Sequence, residues 1–183
     1  MGTNTYHVYP RAPRIEITAP EKYLATSKFG GATMPTVEQS VIVSRPVPEV
    51  FQYLSTAENW PNWDNSIVES RQITDGPVGV GTRWQGASRI LGKRIDWTAE
   101  FTEYDAPKRT SAKSVKSPVA FTLTTTCEEV EKGTRVTYRL DSESGLGGVF
   151  GRMADPLVTK AFGRSQQASL ENLADLLDNE AAQ

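Results

Sequence analysis

Between Thr36 and Asp141 the sequence contains about seven segments in which apolar and polar residues alternate, most of them joined by short turn-forming links. Alternation with a period of two is typical of strands that bury one face. The clearest segment runs from Arg94 to Tyr104, and its apolar positions are Ile95, Trp97, Ala99 and Phe101. Because most of the links are too short to hold crossover helices, the strands are predicted to pair antiparallel.

The predicted strands are 36–44, 66–73, 82–90, 94–104, 109–115, 119–130 and 134–141. The link between the first two is long enough for two short helices. A proline after Arg45 ends the first strand, and Pro48 opens a helix with one apolar face. That face consists of Val50, Phe51 and Leu54. Residues 57–66 hold two tryptophans around a proline, which predicts a helical turn followed by a loop.

One long helix is predicted at the end of the chain, from Asp155 to Asn179. Asp155 supplies a capping oxygen, and Pro156 needs no backbone N–H at the first helical position, so the helix restarts or kinks there. At 100° per residue, one face is predicted to be buried and the opposite face is charged. The predicted buried face consists of Val158, Ala161, Phe162, Ser165, Ala168, Ser169, Asn172, Leu173, Leu176 and Leu177.

The middle of that face carries small side chains, and large apolar groups stand only towards its ends. Packed on a curved sheet, such a face leaves a hollow. The alternative interpretation is that small residues allow close contact between helix and sheet without a void. Periodicity alone does not separate the two.

Residues 1–35 differ from the rest, with scattered prolines and little periodicity. They are predicted to be a mostly flexible extension, with Ile15–Thr18 as an optional edge strand and Met34 as an alternative start after a leader. The folded domain is predicted at 36–179, and 180–183 form a short tail. Residues 1–33 are therefore expected to be dispensable for folding.

Composition excludes several function classes. The chain has 183 residues, enough for one domain with a sizeable core, and its net charge of -2 supplies no positive field for nucleic acid. Cys127 is the single cysteine and His7 the single histidine, which argues against disulfides, His/Cys metal sites and a Ser/His/Asp triad in the domain. Lacking a long apolar run or a signal-type N-terminus, the chain is predicted to be cytoplasmic and without an integral membrane segment.

The order of elements and several short motifs resemble the SRPBCC superfamily, in particular its START-like and bacterial polyketide cyclase/dehydrase-like members. The motifs are VSRPVPEVFQYLS (43–55), ENWPNW (58–63), GPVGVGTRW (76–84), the Trp97-x-x-x-Phe101 strand and the glycine-flanked terminal helix. The resemblance implies an α+β helix-grip fold of the birch-pollen-allergen type. In that fold a seven-stranded curved antiparallel sheet wraps around the terminal helix, two short helices follow the first strand, and an apolar cavity lies between.

The resemblance turns the small-residue face of the helix into a cavity wall. The residues predicted to bind a ligand there are Trp63, Trp84, Trp97, Phe101, Phe121, Leu123, Tyr138, Val158, Ala161, Phe162, Ser165 and Ser169. Trp63 is interpreted as a gate at the cavity mouth, because its amphipathic ring suits such a position. Trp60 could be a second gate or could fill the end of the core, and the sequence does not decide between these two roles.

For the charged residues of the domain, a functional role is predicted only if the structure buries them. Five of them stand where they could approach the concave side of the sheet, although the alternation along the strands predicts that most of the five are solvated. Any that is found buried would mark function, because an unpaired buried charge is costly. The five are Asp64, Arg83, Arg94, Arg109 and Arg139. Cys127 is predicted to be a small buried hydrophobe without a catalytic role. No catalytic residue, cofactor or metal is predicted.

Two function classes follow, and a third stays open. The preferred one is binding or carrying of a small hydrophobic molecule such as a lipid, isoprenoid, polyketide or aromatic compound. The alternative is a polyketide cyclase, aromatase or dehydratase using the same cavity, and the absence of histidine from the domain weighs against it. The third is a protein-interaction module. Whether the chain is a monomer or a dimer is left open.

Overall fold

The computed structural model describes residues 27–29, 32–34, 36–90, 92–142 and 156–180. The strands are β1 (Ser27–Phe29), β2 (Ala32–Met34), β3 (Thr36–Val43), β4 (Ile67–Gln72), β5 (Arg83–Ile90), β6 (Lys93–Asp105), β7 (Arg109–Lys116), β8 (Phe121–Val130) and β9 (Gly133–Ser142). The helices are α1 (Val47–Ser55), α2 (Trp60–Trp63) and α3 (Pro156–Glu180), with a 3-10 turn at Ala57–Asn59. The predicted order of elements is confirmed.

Seven strands form one antiparallel sheet in the order β3-β9-β8-β7-β6-β5-β4. After β3 the chain crosses through α1 and α2 to the opposite edge and returns strand by strand, until β9 pairs with β3. That last pairing runs from Thr36 opposite Asp141 to Val43 opposite Thr134. The curled sheet with short helices after its first strand is the predicted helix-grip fold.

The inner face of the sheet carries the predicted apolar positions. On β6 these four residues are each at most 8% exposed: Ile95, Trp97, Ala99 and Phe101. Helix α1 buries Val50, Phe51 and Leu54 beneath β8 and β9, as its periodicity predicts. The core therefore fills the concave side of the sheet around α1, and α3 packs along β3 and α2.

Helix α3 spans the predicted range, but its buried face is rotated relative to the prediction. Ala161, Ser165 and Ala168 are exposed. The inward residues are Gln166, Ser169, Leu170, Leu173 and Leu177, with Phe162 half-buried. Burying a leucine stabilises a fold by about 1.5–3 kcal/mol, whereas burying an alanine or serine contributes far less, so the leucines determine which face turns inward.

Ahead of the main sheet, β1 and β2 form a separate two-stranded antiparallel pair, in which Ser27 lies opposite Met34. This hairpin was not predicted, because its residues show little apolar alternation. The optional strand at Ile15–Thr18 lies outside the described residues. Of the predicted tail at 180–183, Glu180 is the last residue of α3, and 181–183 lie outside the described residues. Within the described part of the chain, no helix is both long and apolar enough to cross a membrane.

Candidate functional site

A cavity of about 130 Å³ lies between the sheet, α2 and α3. Its walls are mostly apolar: Trp97, Phe101, Phe121 and Leu123 reach it from the sheet, and Phe162 reaches it from α3. A single water molecule needs roughly 10–15 Å³ of such cavity volume. This cavity is several times larger, so it can hold a small organic molecule. The interpretation of the helix and sheet as enclosing a void is therefore the one that the geometry favours.

A row of cross-strand neighbours shows how the void arises. Phe101, Ala112, Leu123 and Leu140 stand opposite one another on β6, β7, β8 and β9, and all line the cavity. Ala112 is the small member of the row, so the sheet surface dips at this point between larger neighbours. A single small residue on a strand thus contributes to a hollow that the sequence analysis had attributed to the helix.

The predicted ligand-binding residues divide into two groups. Those that line the cavity are Trp63, Trp97, Phe101, Phe121, Leu123, Tyr138 and Phe162. Ser169 does not line it but is fully buried beside it, where its Oγ accepts a hydrogen bond from the Asn65 backbone N–H at 3.1 Å. The side chain of Val158 lies outside the described residues.

Three other predicted positions do not line the cavity. Ala161 and Ser165 are exposed on the outer side of α3, because the leucines of that helix take the inner side. Trp84 is 0% exposed, but it lies in the core behind the cavity wall. Its ring packs edge-on against Phe101 at a centroid distance of 3.9 Å and tilted against Trp60 at 5.3 Å.

Among the five conditional charged residues, Asp64 is the buried one, with 1% of its surface exposed. It ends helix α2, where its backbone N–H donates to the Trp60 carbonyl oxygen at 2.9 Å. Its Oδ1 accepts from the Ser66 N–H at 2.9 Å and from Ser66 Oγ at 2.7 Å, a local turn typical of Asp. Ser169 Oγ on α3 donates to the same oxygen at 3.4 Å. The carboxyl group therefore ties α2 to α3 and lines the cavity.

The four arginines among the five candidates are not buried. Arg83, Arg94 and Arg109 are exposed and pair with acidic residues on the outer surface. Arg139 is half-buried and bonds Asp141 through its Nε at 2.8 Å. None of these four arginines lines the cavity. Of the five charged candidates, Asp64 alone is buried, which is the condition under which a functional role was predicted.

Burial sets the proton affinity of two cavity groups. Loss of hydration raises the pKa of Asp64 above its ordinary value, and hydrogen bonds from Ser66, Ser169 and Gln166 oppose that effect only in part. Burial, together with the negative charge of Asp64, raises the pKa of Tyr138 well above its ordinary value. Both groups therefore hold their protons more firmly than they would in water.

Gln166 is the site residue that sequence reasoning missed. It is 2% exposed, it lines the cavity, and its side chain hydrogen bonds to Asp64. A signal was available, because Gln166 lies four residues after Phe162 and three before Ser169, on the same side of a helix. Its polarity hides it from a search for apolar positions.

Two tryptophans near the cavity differ in how their indole N–H groups are satisfied. Trp60 donates from Nε1 to the Leu54 carbonyl oxygen at 2.7 Å. Trp63 is 3% exposed, and its Nε1 has no hydrogen-bond partner among the described residues. Because Trp63 is enclosed in the core, the interpretation of Trp63 as a gate at the mouth is wrong. It forms an inner wall, edge-on to Tyr138 at 6.0 Å.

Cys127 is buried on β8, and burial raises the pKa of its thiol to about 12. This agrees with its interpretation as a small hydrophobe. Across the residues that the structure describes, no group of three or more His, Cys, Asp or Glu side chains is placed to hold a metal ion.

The fold is shared with several solved structures. TTHA0849 from Thermus thermophilus is 20% identical with a TM-score of 0.69, over 81% of this chain and 100% of that one. The ZhuI aromatase/cyclase from Streptomyces sp. R1128 is 15% identical with a TM-score of 0.66, over 81% and 96% of the two chains. Ara h 8.0201 is 13% identical with a TM-score of 0.57, over 79% and 97%.

These identities establish a common fold and nothing finer. No curated protein matches the sequence. A family model described as polyketide cyclase / dehydrase and lipid transport matches residues 34–178, which include the seven-stranded sheet and nearly all of α3. The chain therefore belongs to the polyketide cyclase/dehydrase and lipid transport family.

Proposed function

We propose that the protein binds or carries a small, predominantly apolar molecule in the cavity between the sheet and α3. The observation that carries this proposal is the hollow itself. Packed protein interiors contain few voids larger than a water molecule. A cavity of about 130 Å³ has a cost in packing contacts, because the apolar side chains that line it have no partner atoms on one side. A ligand that fills the hollow offsets this cost.

The lining supports an apolar occupant. Aromatic and aliphatic side chains form most of the wall, and a smaller number of polar side chains, among them Asp64, Gln166 and Tyr138, stand between them. An apolar pocket with a few convergent polar groups is the usual form of a small-molecule site. The apolar part provides affinity and the polar groups fix orientation.

The test fills the cavity and measures binding of an uncharged naphthalene dye by fluorescence. Ala112→Phe places a ring in the hollow and is expected to weaken dye binding by about tenfold or more, because the contact area is lost. Ala161→Phe, the same change at an exposed helix position, should leave the affinity unchanged. If Ala112→Phe fails to fold, Ala99→Leu is the substitute, because Ala99 on β6 lines the same cavity. Absence of dye binding by the wild type, or equal binding by all variants, would overturn the proposal.

A cyclase-type enzyme is the second candidate, and Asp64 is the observation that favours it. A buried carboxyl with a raised pKa is a suitable general acid or base, and Tyr138 stands as a second proton-bearing group nearby. Asp64→Asn separates the two functions. A binder should keep its affinity for the dye in this variant, whereas an enzyme incubated with a poly-β-ketone thioester should lose product formation, as measured by mass spectrometry.

A further inference from the structure

The hydroxyl side chains that line the cavity differ in whether the protein already provides them with a partner. Four of these residues have a partner within the protein: Ser66, Ser88, Ser117 and Ser142. The other three are Thr110, Thr125 and Tyr138, and none of their hydroxyl groups has a hydrogen bond to a described residue. These three groups are therefore the ones in the wall that a ligand can bond without breaking an existing contact.

Thr110, Thr125 and Tyr138 stand side by side on three neighbouring strands. Thr110 on β7 lies opposite Thr125 on β8, and Thr125 lies opposite Tyr138 on β9. Residues directly opposite each other on antiparallel strands have Cβ atoms about 4.5–5.5 Å apart and point to the same face of the sheet. The three residues therefore form a continuous row on the cavity wall, which we call the hydroxyl row. It runs beside the row that contains Ala112 and Leu123.

The hydroxyl row is largely buried, but its polar atoms are not sealed off. Thr110 and Tyr138 are each 8% exposed, and Thr125 is half-buried. In the described part of the chain, the partnerless side-chain atoms without accessible surface belong to other residues: Trp63, Trp84 and Gln166. The hydroxyls of the row consequently keep some accessible surface, and the cavity is the space that these residues line. Because buried polar groups are nearly always paired, the row points to a ligand that supplies the pairing.

The charge around the hydroxyl row limits what that ligand can carry. Tyr138 holds its proton at neutral pH, because burial raises the pKa of its hydroxyl, so it can donate a hydrogen bond to a ligand oxygen. The negative charge of Asp64 raises that pKa further, which puts the Asp64 carboxyl within electrostatic reach of the row. A ligand carboxylate beside the row would be repelled by ionised Asp64, and protonated Asp64 would offer it no positive partner. Burying such a charge is costly.

We infer that the hydroxyl row makes the cavity selective for an uncharged ligand that presents a carbonyl oxygen to β7, β8 and β9. The row donates hydrogen bonds to that oxygen, which has two lone pairs and carries no charge. The inference rests on the proposed function, because it names the polar group of the molecule that the cavity would bind. A hydrocarbon leaves the row unpaired and a carboxylate adds a buried charge, so both should bind less tightly than a ketone of the same shape.

Three probes of nearly one shape test the selectivity. They are 2-acetylnaphthalene, 2-isopropenylnaphthalene, in which a methylene group replaces the carbonyl oxygen, and 2-naphthoate, in which a second oxygen replaces the methyl group. Displacement of the uncharged dye at neutral pH gives their affinities. The ketone is expected to bind about three- to tenfold more tightly than the alkene, the range of one net hydrogen bond. The carboxylate should bind more weakly than the alkene.

A triple variant removes the hydroxyl row with little change of shape. Thr110→Val, Thr125→Val and Tyr138→Phe combined should bring the ketone and alkene affinities to within about twofold of each other. Tyr138→Phe alone should lower the ratio of the two affinities by about twofold or more, and it serves if the triple variant does not fold. Thr126→Val is the matched control, because Thr126 follows Thr125 on β8 but does not line the cavity. This control should keep the wild-type ratio.

The outcomes separate the inference from the proposed function. If the probes displace the dye but the ketone has no advantage over the alkene, or if the carboxylate binds most tightly, the inference is wrong while the cavity remains a binding site. A wild-type ratio in both the triple variant and Tyr138→Phe would also overturn it. If neither the dye nor any probe binds, the proposed function fails and the inference falls with it.

Discussion

At the scale of single residues, Asp64 shows what a sequence can and cannot select. The sequence places Asp64 among five charged residues that could approach the concave side of the sheet. Selection among the five depends on burial, which arises when α3 closes over the end of α2 and Ser169 and Gln166 reach the carboxyl group. No local pattern around Asp64 encodes that distant contact.

Asp64→Asn is predicted to stabilise the fold at neutral pH. Because the folded-state pKa of Asp64 is raised, the unfolded chain loses this proton at a lower pH than the folded chain does. Wild-type stability therefore falls as the pH rises from the ordinary value of 3.8 through the raised one, by about 1.4 kcal/mol per unit of pKa difference. Asparagine keeps an accepting oxygen and does not titrate.

Urea unfolding from acid to neutral pH measures this effect. The gap in unfolding free energy between Asp64→Asn and the wild type should open as the pH rises and close towards pH 4 or below. A wild type that is more stable than Asp64→Asn at neutral pH would contradict the prediction.

Cys127 gives a second residue-scale prediction. With a thiol pKa of about 12, roughly one molecule in ten thousand carries the reactive thiolate at pH 8. A disulfide reagent such as dithionitrobenzoate should therefore label the native protein far more slowly than the protein unfolded in guanidinium, followed by absorbance. Equal labelling rates would show that the β8 side chain is accessible.

At the scale of elements, the strands and helices follow closely from the sequence, because alternation and proline positions are local signals. The orientation of α3 does not follow as well. A helix face defined by small residues spans too wide a sector to fix the rotation of α3 about its axis. That rotation depends on how Leu170 and Leu173 pack in the core. The same holds for the cavity, whose depth at Ala112 depends on register across four strands.

Gly86 illustrates an element-scale constraint that can be tested. It stands opposite Trp97 in the β5–β6 pairing, and the indole lies across it with Nε1 donating to Ser88 Oγ at 3.0 Å. A methyl group at Gly86 would lie 2.5 Å from the Glu69 carbonyl oxygen and 2.6 Å from the Trp97 ring. Both neighbours are held in the sheet and cannot move aside cheaply.

Gly86→Ala is therefore predicted to destabilise the protein by about 1–3 kcal/mol, the usual cost of overpacking. Gly79→Ala is the matched control, since a methyl group there meets nothing within 4 Å and the loop is half-exposed. Denaturant midpoints compare the two. Equal midpoints for both variants would mean that Trp97 does not press on the Gly86 backbone.

At the scale of the whole molecule, the seven-stranded sheet is complete from Thr36 onwards, and the family match also begins near this point, at residue 34. The β1–β2 hairpin is a separate sheet and adds no strand to the main one. Thr36, in contrast, is 4% exposed, and its Oγ1 donates to Asp141 Oδ1 at 2.5 Å. The boundary of the folding unit is therefore expected between β2 and β3.

A chain that begins at Met34 should consequently unfold within about 2–4 °C of the full-length protein, because little apolar area of the core is removed. A chain that begins at Ser44 is the contrasting case. It lacks β3, which pairs with β9 over eight residues, contacts α3 and contributes the fully buried Val43. This second truncation should show no cooperative transition by circular dichroism. A loss of roughly 10 °C or more in the Met34 chain would instead place the hairpin, or the residues before it, in contact with the core.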